Sequence, residues 1–155
     1  MENKKNRNPL IAAGVLLGAG LGGFADGILL HQILQWHNML YARIPPNDLV
    51  SAKINMFWDG IFHALVWVMT LVGLFLLWRA GGRKDVPWSG RTFVGSLIFG
   101  WGLFNLVEGI IDHQLLGIHH VNEYTDDKLI YDLGFLLIGG VFLLLVGWLF
   151  IRSGR

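Results

Sequence analysis

The chain has 155 residues, of which 54% are hydrophobic and 15% charged, and its formal net charge is +1. Soluble domains carry about 25% charged residues. Here the apolar residues fall in blocks of about 20, the length that crosses a bilayer, so the composition excludes a soluble domain and describes an integral membrane protein. There is no cysteine, which excludes disulfides, thiolate metal sites and thiol catalysis, and the few basic residues sit beside apolar blocks, a pattern that implies lipid and no nucleic-acid partner.

Residues Met1–Pro9 form a polar head carrying Lys4, Lys5 and Arg7. The apolar run from Leu10 to about Leu34 is too long for a signal-peptide core and lacks a small-x-small cleavage site, which predicts an uncleaved first transmembrane helix. Its early part, Gly14-x3-Gly18-x3-Gly22, is a small-residue stripe that lets helices approach closely. Trp36–Lys53 reads as an interfacial connection. Trp36 and Tyr41 suit the headgroup level, Pro45 and Pro46 cannot continue a helix, and Asn47 or Asp48 offers an N-cap. A second helix is predicted from about Val50 to Trp78, stopped by the basic, glycine-rich Arg79–Lys84. The third runs from about Thr92 to Leu116, a polar loop spans His119–Asp127, and the fourth runs from about Lys128 to Ile151. The expectation is a single four-span domain over residues 1–155.

Lysines and arginines set the orientation. With both termini on one side, that side holds Lys4, Lys5, Arg7, Arg79, Arg83, Lys84, Arg91, Arg152 and Arg155, against Arg43, Lys53 and Lys128 on the other. Nine against three predicts a multi-pass cell-membrane protein with both termini cytoplasmic.

One stretch occurs twice. Asp26-Gly27-Ile28-Leu29-Leu30-His31-Gln32, with His37 beyond it, returns 82 positions later as Glu108-Gly109-Ile110-Ile111-Asp112-His113-Gln114, with His119 beyond it. Nine of the twenty positions in Gly18–His37 match those in Gly100–His119. Similarity at a fixed offset marks a repeat. Trp58-Asp59 answers Tyr131-Asp132 in the even helices, so each half is a helical hairpin (repeat 1 about 10–78, repeat 2 about 92–151). The expected fold is all-α, two tandem hairpins related by a pseudo-two-fold axis along the membrane normal.

This topology gathers the intramembrane ionisable residues in one layer. A charged side chain at the bilayer centre costs roughly 2.5–3.5 kcal/mol on insertion scales. Asp26, His31, Asp59, His63, Glu108, His113 and Asp132 therefore read as an interior set that pairs or binds a cation, and they are the candidate metal ligands. Carboxylates from each helix plus histidines are the ligand inventory of ferritin-like di-metal proteins, although those use an i, i+3 motif. Here acid and histidine are five apart, about 140° around an ideal helix. A π-bulge, with its i→i+5 geometry, would bring them together, and Gly27 and Gly109 would ease it. His37 and His119 lie eleven residues past the acids, about 16 Å along a helix. They read as rim residues, with His120 a further rim position and Asp112 a partner or proton relay near Glu108.

Oxygen and imidazole donors suit iron, manganese, zinc or copper. The alternative cofactor is haem b with His31 and His113 as axial ligands. Two other classes fit the same layer: a proton or ion conduit or transporter, and a structural or assembly subunit, with a membrane-protein partner or a homo-oligomer compatible with either. No catalytic residue is assigned. The Gly23–His37 stretch and Glu108-Gly-x2-Asp-His-Gln-x2-Gly-x-His-His120 resemble a bacterial family of small, uncharacterised four-helix membrane proteins. That resemblance implies four spans and a membrane location, and it transfers no activity.

Overall fold

A computed structural model describes residues 5–154. Lys4 and Arg155, two of the nine residues in the basic count, lie outside them. Four helical spans account for the fold, Asn8–Ile33, Leu49–Gly81, Gly90–Leu115 and Lys128–Ser153, each long and apolar enough to cross a membrane. Among the described residues there is no strand. The second span begins where expected. Asp48 accepts from the Val50 and Ser51 N–H groups while Ser51 Oγ accepts from the Asp48 N–H, a reciprocal cap. Those two backbone donors hold the Asp48 carboxyl below its ordinary range.

Spans one and three form the central pair, and the glycines explain why. A Cβ on Gly18 would stand 2.0 Å from the Leu97 carbonyl oxygen, and a Cβ on Gly100 would stand 2.0 Å from that of Val15. Each backbone thus rests on the other, at two places 82 residues apart in sequence. Without a hydrophobic drive between helices in lipid, such contact area holds them together. Gly18→Ala or Gly100→Ala has no flexible neighbour to displace, only main chain. We expect a cost at or above the upper end of the ~1–3 kcal/mol of ordinary overpacking, read as a lower melting temperature in detergent; an unchanged melt would show that the crossing is looser.

Spans two and four flank this pair, packing on spans one and three respectively, and present Phe57, Trp67, Phe75, Leu137 and Ile138 outward as lipid-facing surface. The first and last described residues come together with the middle loop at one end of the bundle. Arg7 donates to the Ile151 carbonyl at 3.2 Å, the Asn6 N–H to that of Asp85 at 2.9 Å, and Thr92 Oγ1 to that of Gly154 at 3.0 Å. The two long loops, 34–48 and 116–127, cap the opposite end.

The halves differ in the even helices. Span two is α-helical throughout, whereas span four passes through a π segment at Phe135–Phe142. Asn105 supports that segment by donating to the Gly139 carbonyl at 2.9 Å.

Candidate metal centre

Spans one and three stop being α-helical at the acids. Asp26 ends one α-helix and Gly27–Ile33 continues as π-helix; Glu108 ends the other and Gly109–Leu115 does the same. The wider turn brings the residue five positions on back to the same face. His31 Nε2 accordingly stands 3.4 Å from Asp26 Oδ2, and His113 Nε2 stands 3.1 Å from Glu108 Oε1. Gly27 lets span two come close beside the first π segment, since a Cβ there would lie 2.6 Å from His63 Nε2.

Each π segment ends on a left-handed residue, Gln35 and Gly117, both at φ 53°. The next N–H then reaches back six residues, Trp36 to the Leu30 carbonyl at 2.9 Å and Ile118 to that of Asp112 at 3.0 Å. This is the left-handed stop that ends many α-helices, one residue wider because the segment is π-helical. It reverses the chain and returns His37 and His119 into the bundle, where each is 1% exposed. The rim placement of these two residues is therefore corrected: the 16 Å separation holds only for a continued helix, and the helix ends at Ile33 and at Leu115.

Two triads result, Asp26/His31/His37 and Glu108/His113/His119, each with one donor atom per residue within 4.8 Å of the others. They are neighbours. The His37 and His119 rings stack at 4.5 Å, His31 packs on His37 at 4.4 Å, and His113 on His119 at 4.8 Å.

The Nδ1 atoms face outward. His37 Nδ1 donates to the Val121 carbonyl at 2.9 Å, and His119 Nδ1 donates to the Met39 carbonyl at 3.0 Å. His31 Nδ1 donates to Asp59 Oδ1 at 3.0 Å, and His113 Nδ1 lies 3.6 Å from Asp132 Oδ1. A carbonyl can only accept, so the hydrogen of the neutral His37 and His119 rings sits on Nδ1 and Nε2 carries a lone pair. Burial pushes the His37 imidazole well below its ordinary pKa. Its Nε2 is buried without a hydrogen-bond partner, as are Asp26 Oδ2, His31 Nε2, Glu108 Oε2 and both His113 nitrogens. His119 Nε2 lies 3.1 Å from Glu108 Oε1. A lone pair facing a carboxylate needs a cation, whether a proton or a metal ion. Unpaired buried polar atoms are costly, about 1–3 kcal/mol each. Five of these six, all but the outward His113 Nδ1, belong to the inward faces of the two triads, where carboxylate and imidazole atoms stand opposite each other without a well-aligned hydrogen bond.

Of the residues expected as ligands, Asp26, His31, Glu108 and His113 stand in the triads. Asp59 and Asp132 stand behind them. Asp59 Oδ1 also accepts the Met39 N–H at 2.8 Å and its Oδ2 accepts from Asn38 at 2.8 Å; Asp132 Oδ1 accepts the Val121 N–H at 2.9 Å. Their oxygens orient imidazoles and loops instead of facing the centre. His63 spends Nδ1 on the carbonyl of Asp59 in its own helix, at 2.8 Å, and belongs to neither triad. His120 Nδ1 donates to Asp132 Oδ2 at 2.7 Å and supports that carboxylate. Asp112 is half-buried in the second π segment and outside both triads. The sequence signal for the returning histidines was Gly117, a left-handed helix stop at a span end; Gln35 hides the same turn in the first copy.

Fold and site together define a multi-pass helical membrane protein with a buried carboxylate–histidine centre between two polar loops. The chain belongs to the family described as Predicted membrane protein (DUF2243), which matches residues 13–154. No curated protein and no solved structure matches it.

Proposed function

We infer that the protein is a membrane metal-binding protein that holds two transition-metal ions, one in each two-histidine, one-carboxylate triad, for redox or metal-handling chemistry. The observation that carries this reading is the set of inward donor atoms without hydrogen-bond partners, backed by outward Nδ1 atoms that three firm hydrogen bonds hold in place. Metal-bound histidines usually donate their other N–H to a carboxylate or carbonyl in this way. Iron, manganese, zinc and copper all accept such donors, and two histidines with one carboxylate and open positions favour non-haem iron(II). Haem b fits less well, since a macrocycle between His31 and His113 would displace His37 and His119, which pack against both rings.

Purified, untagged protein is expected to carry close to two metal ions per chain and to lack a Soret band. A Soret band lost in His31→Ala and His113→Ala would replace metal ions with haem. No metal after reconstitution would leave the cluster as helix-pairing structure or a proton path.

The basic asymmetry supports cytoplasmic termini and a centre in the outer half of the membrane. A reporter fused after Arg155 should read cytoplasmic and one inserted at Asn122 external; the reverse pattern would turn the centre inward.

A further inference from the structure

On the reading of metal-filled triads, we propose that the centre is coordinatively open and takes a compact exogenous donor, a small anion or a diatomic molecule, directly on the metal. The donor count carries this. Each triad supplies three residues whose donor atoms converge, and among the described residues no fourth imidazole or carboxylate converges with them; Asp112 lies outside both groups. Asp59 is committed to His31, Met39 and Asn38; Asp132 to Val121, His120 and Gln114. His63 holds its own helix through Nδ1 and stands outside both triads. Closed structural zinc sites use four protein ligands, whereas sites that keep a position for water or substrate use three. Carboxylates chelating through both oxygens would still leave an ion that prefers six donors incomplete.

Burial sets the size of the guest. None of the six triad residues is more than 7% exposed. Phe62 stacks on His31 at 5.4 Å, and Phe135 lies 5.6 Å from His113. The apolar depression lined by Leu30, Trp36, Val121, Tyr131 and Phe135 includes none of the triad residues. A bulky substrate would have to displace packed rings, while a donor of water-like dimensions needs only local breathing. Charge admits both kinds of guest: a divalent ion in each triad meets one carboxylate directly, and a second, Asp59 behind His31 or Asp132 beside His113, balances the rest.

The test loads full-length protein in detergent with Co(II), or anaerobically with Fe(II), confirms the bound metal, and adds azide or nitric oxide as probes. Azide should shift the Co(II) visible bands saturably, or nitric oxide should give an iron–nitrosyl EPR signal; a response to azide alone identifies an anion site, and one to nitric oxide alone a diatomic site. Fully loaded protein that answers neither probe overturns the open centre and leaves metal binding standing. Protein that takes up neither metal removes both.

Discussion

Replacing His37 and His119 together by Gln should leave the four-span bundle folded and empty both metal positions. Each ion would lose one of three protein donors, and the expected loss of affinity per site exceeds the roughly 10–100-fold seen when only a supporting partner is removed. Either single variant should retain about one ion per chain. Stability reports the same loss, because an ion held at 100 times its Kd adds about 2.7 kcal/mol to the folded state. Wild type should therefore melt higher with metal than without, and the double variant should not respond. Gln keeps a donor for the Val121 and Met39 carbonyls, which separates loss of metal from loss of the loop clamps. Metal analysis at unchanged stoichiometry, with uptake merely slowed, would return both histidines to the role of an entry rim.

Those two positions also mark where reading the sequence stops. The layer of acids and histidines was legible because intramembrane charge is expensive and the repeat places it twice at one depth. The π geometry was legible from a spacing of five beside Gly27 and Gly109, and both segments have it. The return of His37 depends on one backbone angle at Gln35, a residue type that rarely adopts φ 53°. Nothing in its side chain announces the turn. Asp59 and Asp132 read as ligands because an acid at the right depth looks the same whether it joins a triad or stands behind the triad's histidine. Only the loops decide, since the Met39 and Val121 N–H groups occupy the oxygens that face them.

Asp59→Asn should weaken the second metal position although Asp59 touches none of its residues. Met39 makes the connection. Its N–H is held by Asp59, which orients His31, and its carbonyl accepts from His119, a member of the other triad. Val121 does the same in reverse: its N–H is held by Asp132 and its carbonyl accepts from His37. Each loop residue thus ties the support of one triad to a donor of the other. In a His31→Ala background, which retains only the second ion, adding Asp59→Asn turns an NH2 toward one of the two donors that the carboxylate held, the Met39 N–H and Asn38 Nδ2, which loosens the Met39 peptide and with it His119. We expect a further loss of affinity of about 10-fold, the lower end for an outer partner because the effect passes through one peptide. Asp132→Asn in a His113→Ala background should act likewise on the first ion. The direct effects are larger, since Asp59→Asn alone also removes the carboxylate that fixes the His31 tautomer. Competition titrations with a chelator of known affinity measure both quantities on the purified variants. If the single-ion protein binds equally well with Asp59 and with Asn at that position, the two triads are independent and the crossed loops serve only to close the end of the bundle.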